Sequence, residues 1–168
     1  MGSLMEKELR KRQILLAEAG IGVILFAVWN VVKVNLYLGL SELPVQLLHE
    51  AAVRDGIDEK MLLTFMIIII AGILIWQLSI RLYIGMSANA EGRGKKKGYA
   101  YLVWAAILLV TDLQMIWQTF GVDQLLAGEK ITVDQITSFC LEAASMYVLL
   151  QLLFSGIRVK ILRKKMKV

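Results

Sequence analysis

The sequence has a single cysteine, a single histidine and one proline among 168 residues. The lone Cys140 excludes an intramolecular disulfide and metal sites built on paired cysteines. The lone His49 lies outside every long apolar segment, which excludes a membrane haem held by spaced histidines. Charge is also scarce, because Asp, Glu, Lys and Arg make up only 20% of the chain and hydrophobic residues make up 58%. Soluble domains carry about a quarter charged residues, so the composition favours a membrane protein.

Four segments are long and apolar enough to cross about 30 Å of hydrocarbon, which takes about 20 residues of helix. They are residues 14–38, 61–84, 99–120 and 133–157. Helices are required because a backbone in lipid must satisfy its own hydrogen bonds. The basic stretch KELRKRQ precedes the first segment, but that segment is too long for the apolar region of a secretory signal. We predict an all-α, polytopic transmembrane four-helix bundle that forms a single domain over residues 1–168.

Lysine and arginine are concentrated in three of the segments outside the predicted spans. The N-terminus, the C-terminus and the stretch RLYIGMSANAEGRGKKKG at residues 81–98 hold most of the 19 Lys and Arg residues. Acidic residues collect in the two other connections. The positive-inside rule then places both termini in the cytoplasm, and we predict a bacterial-type cytoplasmic membrane as the location.

The first external connection carries a helical pattern of its own. The stretch SELPVQLLHEAAVRDG has apolar residues at helical spacing, with Pro44 in the first turn and Gly56 as a stop. This pattern predicts a short amphipathic helix on the outer membrane surface. Asp58 follows it and is predicted to cap the second span.

The basic loop at residues 81–98 has features of a phosphate or nucleic-acid site, but its pattern excludes both. A Walker motif requires a glycine five residues before Gly94 and a Ser or Thr at the position of Lys96. The loop also lacks the interleaved aromatic residues of single-strand binding, so no nucleic-acid partner is expected. A basic cluster beside a span attracts anionic lipid headgroups by about 1 kcal/mol per residue. We predict such headgroup contacts on the cytoplasmic side for Arg93, Lys95, Lys96 and Lys97.

Several ionisable and amide side chains fall inside the predicted spans, where charge is costly and by default marks a functional or a paired site. At about 1.5 Å per residue, Asp112 and Glu142 lie roughly 13 Å from the outer ends of their helices. Asn30 and Lys33 of the first span fall in the same outer layer. A second polar layer, nearer the cytoplasm, comprises Glu18, Gln77 and Gln151.

Two interpretations of these polar residues stay open. In the structural interpretation, Lys33 neutralises Asp112 or Glu142, and amides bond across helices at about 1 kcal/mol per bond. In the functional interpretation, one lysine cannot pair fully with two acids, so one carboxyl holds a proton or awaits a cation or cationic solute. Small residues that would let the helix backbones approach are Ala17, Gly20, Ala143 and Ala144.

The functional interpretation predicts a proton- or cation-linked protein that binds or translocates a small solute. Asp112 and Glu142 are its exchanging acids, Lys33 their counter-ion and Glu18 an inner relay. Four helices enclose little volume, so we expect a homo-oligomer. The runner-up is a non-catalytic membrane subunit, sensor or scaffold that docks a partner protein through its bundle surface or the basic loop.

Other classes are disfavoured by what the spans lack. The chain has no paired Ser/His, Cys/His or metal-ligand set, so we predict that it is not an enzyme and needs no cofactor or metal. No span carries Arg or Lys at every third position, which disfavours a voltage sensor.

Glu18 lies in the stretch ILLAEAGIG, which resembles the Ala-Glu of the first helix in small multidrug-resistance transporters. That family also forms four-span bundles and uses this carboxylate for protons and cationic drugs. The resemblance is confined to this stretch. This chain is longer, and the family's pattern does not predict intramembrane charges at Lys33, Asp112 and Glu142, so the resemblance does not assign the chain to the family.

Overall fold

The part of the chain that the structure describes folds into four long helices. The structure is a computed structural model, and it describes residues 2–40, 58–119 and 133–166. The helices are α1 (Gly2–Leu40), α2 (Glu59–Gly92), α3 (Ala100–Thr119) and α4 (Val133–Lys165). All four are long and apolar enough to cross a membrane, which confirms the predicted all-α fold with four candidate spans for the described residues.

The start of α2 confirms the predicted cap. The backbone N–H of Lys60 donates to Asp58 Oδ1 at 3.2 Å, and the N–H of Leu62 donates to the Asp58 carbonyl at 3.1 Å. A side-chain oxygen in this position satisfies one of the N–H groups that a helix leaves free at its first turn. The amphipathic helix predicted just before Asp58, with His49 in it, lies outside the described residues.

The structure corrects the predicted end of the second span and the extent of the basic loop. The sequence ended the span at residue 84 and counted 81–98 as loop, but α2 continues to Gly92, so the connection to α3 is only residues 93–99. Glycine, serine and asparagine in MSANAEG have poor helix propensity. Tertiary packing overrides it, because the last turns of α2 lie against α1 at backbone distance.

Helices α1 and α4 also extend beyond their predicted spans. α1 begins at Gly2 rather than at residue 14, and its first turns are polar and exposed, with Glu6 and Arg10 paired one turn apart at 3.9 Å. α4 continues past residue 157 to Lys165, because Val159 and Leu162 remain buried while Arg158 is exposed. The prediction followed apolar runs, whereas α1 begins with exposed polar turns and α4 continues as long as its side chains pack.

The chain divides into two compact units. Unit 1 is Met1–Leu25 with Arg81–Val168, and unit 2 is Phe26–Ile80. Unit 1 therefore contains the first part of α1, the last part of α2, and all of α3 and α4. Its core is formed by side chains from all four helices, namely Leu16, Val23, Ile84, Tyr101, Ala105, Leu149, Leu152 and Val159.

Within unit 1, α1 and α2 contact each other through a glycine seam, which we define as Ala17 and Gly20 of α1 with Gly85 and Gly92 of α2. A Cβ atom on Gly20 would lie 2.7 Å from the Gly85 carbonyl oxygen. A Cβ on Gly92 would lie 2.7 Å from both the nitrogen and the Cβ of Ala17. The expectation that Ala17 and Gly20 permit close backbone approach is confirmed, as in other membrane helix pairs.

Unit 2 contains polar side chains that bond within their own helix. Asn35 donates to the Val31 carbonyl at 2.7 Å, Thr64 Oγ1 to the Lys60 carbonyl at 2.8 Å, and Ser79 Oγ to the Ile75 carbonyl at 2.7 Å. All three side chains are exposed. Back-bonding to the preceding turn satisfies such groups where lipid offers no partner.

Candidate functional site

The first polar site of unit 1 is the Arg81 cluster, which we define as Arg81, Asp112 and Ser145. Arg81 Nη2 donates to both carboxylate oxygens of Asp112 at 2.9 Å, and Nη1 donates to Ser145 Oγ at 3.0 Å. The side chain of Arg81 is 6% exposed and that of Asp112 is 16% exposed. Arg81 makes charge-assisted hydrogen bonds to a shielded carboxylate, so removal of either partner would leave the other charge buried and unpaired.

Three helices place the cluster. Arg81 follows the long apolar run of α2 and begins the segment that packs in unit 1. Asp112 lies in the second half of α3, and Ser145 lies on α4, which packs along α3. Arg81 Nε is buried and has no hydrogen-bond partner among the described residues, so the guanidinium keeps one donor that is not used.

Glu142 adds a second carboxyl beside this cluster. It lies one turn before Ser145 on α4 and is half-buried. The sequence placed Asp112 and Glu142 at one depth, and Glu142 lies one turn from the Ser145 hydroxyl that Arg81 binds. Glu142 also has further interactions of its own.

The other predicted site residues are spread over both units. Gln151 is half-buried in unit 1, whereas Glu18 is exposed on α1, on the side of the helix away from the buried Leu16 and Ala19. Asn30, Lys33 and Gln77 are half-buried in unit 2. The structure gives Asp112 a guanidinium partner that sequence reasoning had assigned to a loop. The pairing of Lys33 with Asp112 or Glu142 stays a prediction.

The second polar site is the Glu91 cluster, which we define as Glu91, Tyr101, Lys160 and Arg163. Glu91 is the most buried charged residue described, at 1% exposed. Its carboxylate accepts hydrogen bonds from the Tyr101 hydroxyl at 2.8 Å, from Lys160 Nζ at 3.3 Å and from Arg163 Nη1 at 3.2 Å. Lys160 Nζ also lies 4.4 Å from the ring centroid of Tyr99. One buried acid thereby ties together α2, α3 and α4.

The Glu91 cluster also holds the connection between α2 and α3. Lys160 Nζ donates to the Lys97 carbonyl at 2.7 Å, and Arg163 Nη1 donates to the Lys95 carbonyl at 3.3 Å. Arg163 Nη2 donates to the backbone carbonyl of Glu91 at 3.2 Å. Two basic side chains of α4 therefore fix the main chain of a segment whose own lysine side chains are exposed.

The sequence contained signals for both clusters that were not used. Arg81, Gly85, Ala88 and Gly92 recur at three- and four-residue spacing, which is the helical spacing of a packed stripe. Gly94 follows Glu91 at the position of a helix-ending glycine. Together these patterns predict a helix that continues to Gly92 and carries Arg81 and Glu91 on packed faces.

Among the residues that the structure describes, no group of three or more His, Cys, Asp or Glu side chains is placed to hold a metal ion. Comparisons with protein-family models, with curated proteins and with solved structures find no match to this chain.

We expect Tyr101→Phe to test the Glu91 cluster with little change in volume. Loss of the hydroxyl removes one hydrogen bond to a charged group and is expected to lower the free energy of unfolding by roughly 1.5 to 3 kcal/mol. Thermal unfolding in detergent measures it. Tyr147→Phe is the matched control, because Tyr147 is 67% exposed on α4, and an equal effect of the two changes would contradict the contact.

Proposed function

We propose that this chain is a small membrane protein that binds or translocates a proton or a small cationic solute at Asp112 and Glu142, with Arg81 as the internal counter-ion. The observation that carries the proposal is a carboxylate held by a guanidinium inside a candidate span, with Glu142 one turn from Ser145, the second partner of that guanidinium. Intramembrane acids of this kind commonly line ion and substrate pathways.

The proposed topology has both termini and the connection between α2 and α3 in the cytoplasm of a bacterial-type cell. The exposed side chains Arg93, Lys95, Lys96 and Lys97 in that connection support it. Arg81 does not count toward the rule, because it is buried within α2. The remaining Lys and Arg residues keep the same asymmetry.

The mechanism we propose is an exchange of partners at Asp112. In the described state Arg81 occupies both oxygens of the Asp112 carboxylate. A proton or a cationic group that enters takes the place of the guanidinium, and the neighbouring carboxyl of Glu142 attracts that cation. Arg81 retains its bond to Ser145, and its unused Nε donor offers a second contact for a displaced guanidinium. Exchange of this kind couples solute entry to a movement of α2 relative to α3.

A homo-oligomer is part of the proposal. Unit 2 exposes large apolar side chains on several faces of α2, which are Phe65, Ile67, Ile68, Ile69, Ile73, Ile75 and Trp76. Such a helix is covered by lipid or by another transmembrane helix. A second copy would add the walls that four helices alone do not supply.

Vesicle flux tests the proposal. The full chain is reconstituted in proteoliposomes with a trapped pH dye under a potassium diffusion potential, and uptake of a quaternary ammonium ion is followed in parallel. Glu142→Gln and Asp112→Asn are each expected to lower flux about tenfold or more, equivalent to about 1.4 kcal/mol. Glu8→Gln is the matched control, since Glu8 is exposed near the N-terminus.

Two outcomes contradict the proposal. Flux retained by both Asp112→Asn and Glu142→Gln removes these acids from the pathway. No flux of protons or cations in the wild-type chain, with the fold intact by circular dichroism, removes the transport function and leaves the partner-docking subunit as the next candidate.

A further inference from the structure

The basic turn, which we define as residues 93–97, is built as a rigid element. α2 ends in a Schellman motif, in which the N–H of Gly94 donates to the Glu91 carbonyl at 3.0 Å and the N–H of Lys95 donates to the Ala90 carbonyl at 3.1 Å. Gly94 has φ +92°, a left-handed conformation that glycine adopts without strain.

The far side of the turn is fixed by α4. Arg163 holds the Lys95 carbonyl and Lys160 holds the Lys97 carbonyl, and both cations are anchored by the buried carboxylate of Glu91. The main chain from Gly94 to Lys97 is thus held by donors and acceptors on both sides, while the four basic side chains of the turn are exposed. A set of charges on a fixed main chain loses less entropy on binding than the same charges on a free loop.

The position of the basic turn in the chain indicates which anion it binds. The turn directly precedes the candidate span Ala100–Trp117, whose 18 residues are about as long as the hydrocarbon is thick, so we place its side chains at the level of the lipid headgroups. The anion met there at the highest concentration is a lipid phosphate.

We infer that the basic turn is a pre-formed binding site for an anionic lipid headgroup, with Arg93, Lys95, Lys96 and Lys97 as its ligands. Glu91 acts as a positioning residue that orders the turn through Lys160 and Arg163. This inference is independent of the solute site at Asp112, and its test does not use flux.

The first test measures which lipid binds. The full chain in neutral detergent is titrated with phosphatidylglycerol, and bound lipid is counted by native mass spectrometry, with phosphatidylcholine as the neutral-headgroup control. Replacing Lys95, Lys96 and Lys97 by Gln is expected to weaken phosphatidylglycerol binding by about fivefold per lysine. The control replaces Lys7, Arg10 and Lys11 by Gln, which removes the same charge from exposed positions of α1. If the two triple variants weaken phosphatidylglycerol binding equally, binding depends only on net charge, and the inference of a specific site is wrong.

Two further outcomes bear on the ligand. Equal binding of phosphatidylglycerol and phosphatidylcholine overturns the inference. Competition by soluble glycerol phosphate at the same concentration as the lipid would make a free phosphate the ligand, and would overturn the assignment to lipid. Failure of glycerol phosphate to compete supports the membrane headgroup.

The second test isolates geometry from charge. Gly94→Ala forces strain at a positive φ without changing charge, whereas Gly98→Ala adds a methyl group in open space without that strain. We expect Gly94→Ala to weaken phosphatidylglycerol binding by about threefold or more and Gly98→Ala to leave it unchanged. Equal affinities of the two variants would overturn the role of a fixed turn.

Glu91→Gln separates two explanations of phosphatidylglycerol binding. An effect of net charge and an effect of the fixed main chain of the basic turn predict opposite changes in affinity. The change removes one negative charge, so simple electrostatics predicts tighter binding of an anionic lipid. Loss of order in the turn predicts weaker binding, and that is the result we expect. Tighter binding by a folded Glu91→Gln variant would overturn the positioning role. If that variant does not fold, the pair Gly94→Ala and Gly98→Ala still decides the question.

Discussion

Arg81→Met is expected to lower the free energy of unfolding by about 3 to 5 kcal/mol, the usual cost of breaking a buried ion pair from one side. Arg81 donates to both oxygens of Asp112, and the change leaves that carboxylate without this partner on a side chain that is only 16% exposed. Met keeps most of the aliphatic volume, so the loss reports the charge rather than a cavity. Thermal and denaturant unfolding in detergent micelles measure the effect.

The matched control for this prediction is Arg93→Met at the end of the same helix. Arg93 is exposed and makes one hydrogen bond to Asn89, so its loss is expected to cost less than about 0.5 kcal/mol. The double variant Arg81→Met with Asp112→Leu removes both charges and is expected to recover most of the lost stability. A cost near that of the control for Arg81→Met alone would show that the pair is solvated in the folded protein.

The stability of the pair also bears on the proposed exchange. If Arg81→Met destabilises the fold but increases affinity for a cation at Asp112, the guanidinium competes with the solute, as the exchange mechanism requires. If Arg81→Met abolishes cation binding together with stability, the role of Arg81 is to hold the site in its folded geometry, and the guanidinium does not compete with the solute. Cation affinity is compared in variants that remain folded at the temperature of the assay.

The sequence predicted the helices well because hydrophobic length is a physical requirement of the bilayer. Where apolar runs and helices coincide, the predicted bounds agree with the helix ends to within a residue or two. This holds for both ends of α3 and for the start of α4. The same criterion missed the last part of α2. That part is held by contact with α1, through Gly85 and Gly92 against Gly20 and Ala17, and a pairwise contact leaves no trace in the hydropathy of either segment.

The candidate site was predicted only in part for the same reason. Asp112 and Glu142 were placed at one depth because depth follows from position along a helix. The partner of Asp112 could not be inferred in this way, because the position of Arg81 along the chain predicts that it is the first residue of the loop. The position of Glu91 along the chain likewise places it in the loop, although its carboxylate binds Tyr101, Lys160 and Arg163. Both errors came from ending α2 too early, which moved two charged residues out of the packed interior.

The glycine seam yields the second large effect. Gly20→Ala places a Cβ atom 2.7 Å from the Gly85 carbonyl oxygen and 2.8 Å from the Asn89 nitrogen, and both of these are backbone atoms that cannot rotate away. α1 and α2 must therefore separate, and we expect a loss of about 1 to 3 kcal/mol from overpacking. Gly72→Ala is the matched control, because nothing lies within 4 Å of its added methyl group. In a helix that change alone is expected to stabilise by roughly 1 kcal/mol.

The two large effects should be coupled, because Arg81 lies one turn before Gly85 on α2. Separation of α1 and α2 at Gly20 shifts the turn that carries Arg81 and loosens its contact with Asp112. Gly20→Ala should then cost less in an Arg81→Met background than in the wild type, with a coupling energy of about 0.5 kcal/mol or more. Strict additivity of the two changes would contradict this coupling and would mean that the seam holds α1 and α2 without positioning the Arg81 cluster.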